Sequence, residues 1–225
     1  MTPLHSATWP EIERGTPVLV PVGSIEQHGP HLPLDTDSVI AQAVASAAAG
    51  RSAALVTPPL TFGSSGEHQA FPGTASIGTE ALTLVVVELV RSLRTWSGPV
   101  LLVNAHGGNG AALRAATGRL RDEGHAVAWT ACATETVDLH AGRTETSLML
   151  HLRPGSVLLE RAVAGDRRPL AEILPLMVAG GVDAVSANGV LGDPAGATAA
   201  EGERVLAAMV KDAVAALDAL TEAVR

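Results

Sequence analysis

"TPVLVPVGSIEQHGPHLPLDTDSVIAQAVASAAAG", residues 16–50, joins three different textures. Its first eight residues form a short apolar run ending in Pro and Gly, the pattern of a buried strand. Its last thirteen, from Ser38 to Gly50, are rich in Ala and read as a helix, with Gly50 as the expected stop. Between them Pro30 and Pro33 exclude a regular helix. That irregular stretch carries Glu26, His28, His31, Asp35 and Asp37. A buried strand that passes through a loop into a helix is the repeating unit of an α/β sheet.

The same unit recurs along the chain. "AALVTPPL" (53–60) reads as a strand, and the Gly-, Ser- and His-bearing residues 61–78 read as a long functional loop. Thr79 is placed to cap a helix through "EALTLVVVELVRSLRTW". "GPVLLVNAHGGNG" (98–110) is strand then turn. In 111–124, Leu113, Ala116 and Leu120 fall at helical spacing, and Gly124 ends the run. A strand over 125–134, a polar loop, a helix stopped by Pro154 and a last helix capped by Thr198 complete the pattern. The expectation is one domain over residues 1–225, a three-layer αβα fold with a mostly parallel sheet. Ligands in such folds sit beyond the carboxyl ends of the strands. The His-bearing loops each follow a strand, so they should meet at one edge.

Composition supports this. Of 225 residues 47% are hydrophobic but only 2% aromatic, so the core must be Val, Leu, Ile and Ala, which suits parallel strands. A net charge of −8 argues against a nucleic-acid partner, which needs a basic face. A lone Cys132 fits a reducing compartment. "MTPLHSATWPEIERG" lacks a signal-peptide layout, and no apolar run approaches the ~20 residues of a membrane helix. A soluble, cytoplasmic protein is expected.

Five of the eight histidines, His28, His31, His68, His106 and His140, lie in loops after strands. Each alone reads as an ordinary turn residue; the argument rests on their convergence with the acidic groups. Glu26 and His28 are two apart, hence on one face of an extended segment. Carboxylate with imidazole suits Zn, Mn or Fe(II). Asp37 can bridge two ions or cap the following helix. Asp35 reads as a cap or turn residue, and His31 as a residue that orients a ligand or as a turn residue. His106 precedes the glycine-rich turn of "NAHGGNG", which lacks the spacing and Lys of a phosphate loop. Glu67 and His68 offer pocket-shaping or proton-handling groups. His140 suits acid–base work near neutrality. Arg143 either holds a substrate oxygen or is a solvated surface group. Glu145 can simply begin a helix.

"VPVGSIEQHGPHLPLDTD", "NAHGGN" and "HAGRTETSLML" together resemble the creatininase family of metal-dependent amidohydrolases. The resemblance implies an αβα fold, a homo-oligomer (a hexamer in creatininase itself) and a site that usually holds two divalent ions. It implies Glu26, His28, Asp37 and His106 as metal ligands, with Asp37 as the bridge, and His140 as the catalytic histidine. Creatininase proper has Tyr-Glu after the metal His, and that Glu is a ligand. Here those positions are Gly107 and Gly108, and Glu145 is the residue offered to fill the gap. "FGSSGEHQAFPGTASIGTEAL" and "VSANGVLGDPAGATAAEG" resemble more narrowly the family's peptidase branch in mycofactocin biosynthesis. That branch acts on a modified precursor peptide, before a C-terminal Val-Tyr-derived unit.

The expected chemistry follows. Coordination to a divalent ion lowers the pKa of water from ~15.7 to about 7. His140 would then serve the leaving amine or the oxyanion, with Glu67 and His68 as further catalytic candidates. Fe(II) or Zn is favoured and Mn is compatible. The competing functions are a small-molecule amidohydrolase, acting on a creatinine-like cyclic amide or a formamide, and a non-catalytic metal-binding scaffold.

Overall fold

A computed structural model describes residues 3–133 and 138–223 of the chain. Four strands, β1 (Val18–Val22), β2 (Leu55–Val56), β3 (Val100–Asn104) and β4 (Val127–Ala131), form an all-parallel sheet in the order β2-β1-β3-β4. Residue 134, the end of the expected last strand, lies outside the described residues.

Alternation along the strands builds the layers. Val18, Val20 and Val22 of β1, with Val100 and Leu102 of β3, face one side. There they meet α2 (Gly78–Leu93) and α3 (Gly110–Asp122), through Val86 and Val90 of α2 and Leu113, Ala116 and Leu120 of α3. Leu19, Leu101 and Val103 face the other side. They pack on α1 (Thr36–Ser52), α4 (Arg143–Leu152) and α6 (Ala199–Glu222). The sheet is thus covered on both faces, as its continuous apolar strands require. The three-layer αβα architecture stands.

Local details differ from expectation. Gly50 does not stop α1. The helix continues to Ser52 and Ala53 takes the left-handed turn, at φ 51°. The strand expected over 53–60 shrinks to Leu55–Val56 plus a single bridge from Val22 to Leu60. Pro58 and Pro59 lie between and offer no N–H to a ladder. Thr79 caps nothing, since α2 begins at Gly78 without a side-chain cap and the Thr79 hydroxyl pairs with that of Ser64 at 2.9 Å. Thr198 does cap α6, accepting the Glu201 N–H at 3.2 Å.

One helix has no counterpart in the sequence reading. α5 (Leu170–Gly180) carries Pro175 inside it and buries Ile173 beside Val182 and Leu191. Leu170, Leu174 and Val178 recur every fourth residue on a stripe that stays exposed. No described helix is long and apolar enough to cross a membrane.

Candidate metal centre

The carboxyl ends of β1 and β3 deliver the site. β1 runs out at Val22 into the loop bearing Glu26 and His28, and the first turn of α1 brings Asp37 back to them. β3 ends at Asn104, two residues before His106. Asn109 ties these loops together. Its amide N donates to Gly23 O and Asn104 Oδ1, both at 3.0 Å, and its Oδ1 accepts the Ser64 N–H at 2.8 Å.

The result is a buried polar cluster. Ser24 Oγ lies 2.8 Å from Glu26 Oε2 and 2.6 Å from Asp37 Oδ2, holding the two carboxylates side by side. His106 Nδ1 lies 3.1 Å from Glu26 Oε2 and 3.5 Å from Asp37 Oδ2. His28 Nε2 lies 3.2 Å from the other Asp37 oxygen. Asp37 therefore turns one oxygen to each histidine, the disposition of a bridge, and its side chain caps no helix. His68 Nε2 and His140 Nδ1 approach Glu26 Oε1 at 3.3 and 3.7 Å.

Two features show that a cation fits here. The first is charge. Among the described residues, the ion-pair partners of Glu26 and Asp37 are all histidines, and Glu26 Oε1 is buried without a hydrogen bond. A buried carboxylate needs a paired charge or a metal. The second is tautomer. His28 Nδ1 donates to the Glu26 carbonyl at 3.1 Å, and His106 Nε2 faces the Ser64 carbonyl at 3.1 Å and Glu67 Oε1 at 3.3 Å. With those nitrogens carrying the proton, His28 Nε2 and His106 Nδ1 aim lone pairs at carboxylates. That arrangement is tenable with a cation between them or with a second proton on each ring.

The electrostatics agree. Burial opposes charge on His28, but the Asp37 carboxylate, helped by Glu145 and Glu26, outweighs it and lifts the ring to about 10. Burial also opposes charge on His106, yet Glu26, Glu67 and Asp37 hold it well above the usual histidine value. Burial, with the neighbouring His28 and His68, holds His140 well below that value. His68 is lowered mainly by burial as well. Burial pushes Glu145 up to about 7.

The other expected residues divide. Glu145 accepts the Ala141 N–H at 2.6 Å, and its carboxylate lies within 4.8 Å of ligating atoms of His28 and His140. Glu67 occupies the place a side chain at 108 would need: a Cβ on Gly108 would collide with Glu67 Oε1, His106 Nε2 and Ser64 O. The glycine at 108 thus leaves room for a carboxylate from another loop. His31 turns away, with Nε2 2.8 Å from Thr146 Oγ1, and braces α4 instead of a ligand. Asp35 pairs with Arg153 at the surface, at 2.9 Å. Arg143 is exposed and paired with Glu201 at 2.8 Å, the solvated reading.

Above the cluster opens a cavity of about 510 Å³. Its floor is Asp37, His68, His106, His140 and Glu145, and its wall is Leu170, Leu174, Met177 and Val178 of α5 with Leu139 and Leu191. Asn109, Gln27 and α5 are the contributors that motif reading passed over. A polar residue inside a dense motif was the available signal for the first two.

Comparison with known proteins agrees with this geometry. A profile of the creatininase family, described as creatinine amidohydrolase, matches residues 5–217. The chain is 56% identical over 200 residues to the mycofactocin precursor peptide peptidase of Mycolicibacterium smegmatis, covering 86% of this chain and 81% of that one. It is 52% identical over 222 residues to the protein of the same name from Mycobacterium tuberculosis (strain ATCC 25618 / H37Rv), covering 94% and 88%. Among solved structures, a mutant creatininase complexed with creatine superposes with a TM-score of 0.80 at 27% identity, over 97% of this chain and 98% of that one. A mutant creatininase of Zn-Zn type gives 0.77 at 29%, over 97% and 96%, and a creatininase is described with Mn. With the profile spanning nearly its whole length, this chain belongs to the creatininase family of amidohydrolases.

Proposed function

We propose that the protein is the metal-dependent peptidase that hydrolyses the modified mycofactocin precursor peptide before its C-terminal Val-Tyr-derived unit. One observation carries the reading: a buried carboxylate–imidazole floor lies directly under an apolar wall in one open cavity. The floor suits amide hydrolysis, and the wall suits an apolar peptide end. The named peptidases above share more than half of the aligned positions with this chain.

Glu26, His28, Asp37 and His106 would hold the divalent ions, with Glu145 beside His28 as a further donor. The donor set is oxygen and nitrogen without sulfur, which accepts Zn, Fe(II) or Mn. Such ions, when bound, polarise a carbonyl and make water acidic. The chain's own residues do the rest. Ser24 fixes the facing carboxylates through its hydroxyl. His140 holds its lone pair toward the floor at Nδ1, where it takes a proton from water and passes it to the leaving amine. Leu170, Leu174 and Val178 offer an apolar surface on the substrate side. The family resemblance further supports a homo-oligomer, a hexamer as in creatininase.

The test is a direct choice of substrate. The zinc- or iron-loaded protein is incubated in parallel with the modified precursor peptide and with creatinine, and products are read by mass. Cleavage of the peptide with creatinine untouched is the expected result. Turnover of creatinine alone would make this a small-molecule amidohydrolase. Metal binding without either product would make it a scaffold.

A further inference from the structure

Gln27 sits between His28 and Glu26 in sequence, and its buried side chain reaches between His68 and His140. Its amide can be oriented without ambiguity from its partners. Oε1 accepts the Gly29 N–H at 2.8 Å, so the other end is the NH₂ group. That group has two hydrogens. One goes to the Gly189 carbonyl at 3.0 Å and the other to His68 Nδ1 at 2.8 Å. His68 Nδ1 is therefore an acceptor, and the ring carries its proton on Nε2.

His140 is held the opposite way. Its Nε2 lies 2.7 Å from the backbone carbonyl of the same Gln27, so it donates there. The 3.0 Å approach of Gln27 Nε2 to His140 Nε2 is then a meeting of two donors and not a bond. The lone pair of His140 is left on Nδ1. Residue 27 thus sets both rings, one through its side chain and one through its main chain. The segment 188–192 completes the bracket. A Cβ at Gly189, which has φ +78°, would run into the Gln27 side chain, and Leu191 exchanges backbone hydrogen bonds with His140 at 2.9 and 3.1 Å.

We propose that Gln27 is a positioning residue that fixes the protons of His68 and His140, so that His68 Nε2–H is the donor to the oxyanion and His140 Nδ1 the proton acceptor. Both rings line the cavity, with centroids 4.5 Å apart, so both can address one amide. The step balances. The water oxygen bonds to the carbonyl carbon and its proton goes to His140 Nδ1. The carbonyl electron pair collects on oxygen, facing His68 Nε2–H, and His68 keeps its proton throughout. On collapse the C–N pair leaves with nitrogen, which takes the proton back from His140. A neutral N–H donor is a sound partner for developing negative charge.

The inference rests on the hydrolase reading above, and its test separates the two. In the zinc-loaded full chain without substrate, ¹⁵N shifts of the histidine rings report each tautomer. The wild type should show His68 protonated at Nε2 with Nδ1 bare, and His140 protonated at Nε2. Gln27→Glu cannot donate to His68 Nδ1, so the proton should move to Nδ1. Loss of one such donor should lower kcat by about 10²–10³, with KM and zinc content unchanged. Gln27→Met removes the bond without a charge and should leave His68 in mixed tautomers with an intermediate kcat. A wild type with His68 protonated at Nδ1 would overturn the proposal whatever the substrate. So would a Gln27→Glu variant with wild-type kcat, or one whose loss tracks lost zinc. Tautomers as assigned in a protein that cuts no peptide would instead refute the hydrolase reading.

Discussion

The cavity has a floor and a wall, and they are built on opposite rules. The floor collects Asp37, His68, His106 and His140, each less than a tenth exposed, with Glu26 and His28 buried behind them, at the ends of parallel strands. Its nitrogens and oxygens have set partners or face the place a cation fits. The wall is α5, where Leu170, Leu174 and Val178 are 44%, 47% and 80% exposed, and no polar group fixes anything. A rigid polar floor specifies a reaction, because charge and proton positions must be right before substrate arrives. An apolar wall specifies a partner only through shape and area. The fold that carries the floor is what this chain shares with the creatininases, and the wall is where selectivity can change without disturbing the chemistry.

Substitutions should separate the two, and the largest effects belong to the floor. His106→Ala removes a nitrogen that faces both carboxylates. Groups merely bonded to a ligand change affinity by ~10–100-fold, so this variant should lose more than that in both metal retention and activity, read by metal analysis and peptide cleavage. Gly108→Ala should fall within that ~10–100-fold range. Its Cβ would press on His106 Nε2, Glu67 and the rigid Ser64 carbonyl, and zinc titration would show the weakening.

Proton competition comes next. With no ion bound, His28 holds its second proton up to about pH 10, and a ligand must give that proton up. Rising pH removes the competitor, so zinc affinity should climb between about pH 6 and 8, by about tenfold per pH unit for each proton displaced. Calorimetry in buffers of different ionisation enthalpy would count the protons. The wall should give the smallest change. Leu174→Ala exposes no buried core and should cost about 1 kcal/mol of contact with an apolar substrate end. That appears as a rise of roughly fivefold in KM with kcat and zinc content unchanged. An effect on kcat alone would move α5 from wall to machinery.

This contrast also explains what could be read from the chain. The αβα architecture and most of the residues that meet at the site were legible, because strands leave continuous apolar runs and candidate ligands leave dense clusters of Glu, His and Asp. Glu67 and Glu145 were legible as residues and not as geometry: only the fold shows Glu67 filling the space beside Gly108. Gln27 was legible only as a polar residue inside a dense motif, since an amide takes its role from the partners folding brings to it. The α5 helix was missed because Pro175 argues against a helix interior, and a run with Glu172 as its one charged residue shows little polar–apolar contrast. Tertiary contacts at Ile173 override that signal. Gly50 misled for the reverse reason: a glycine ends a helix only where the chain must turn left-handed, and here the turn falls at Ala53.

The central claim is that this floor works only with a metal, and one measurement addresses it. The protein is stripped with a chelator, Fe(II), Zn or Mn is added back singly, and hydrolysis of the modified precursor peptide is followed by mass. The account predicts an inactive stripped protein whose folding is intact and whose cleavage returns with at least one of the three ions. Cleavage by the stripped protein at the rate of the reloaded one would contradict it.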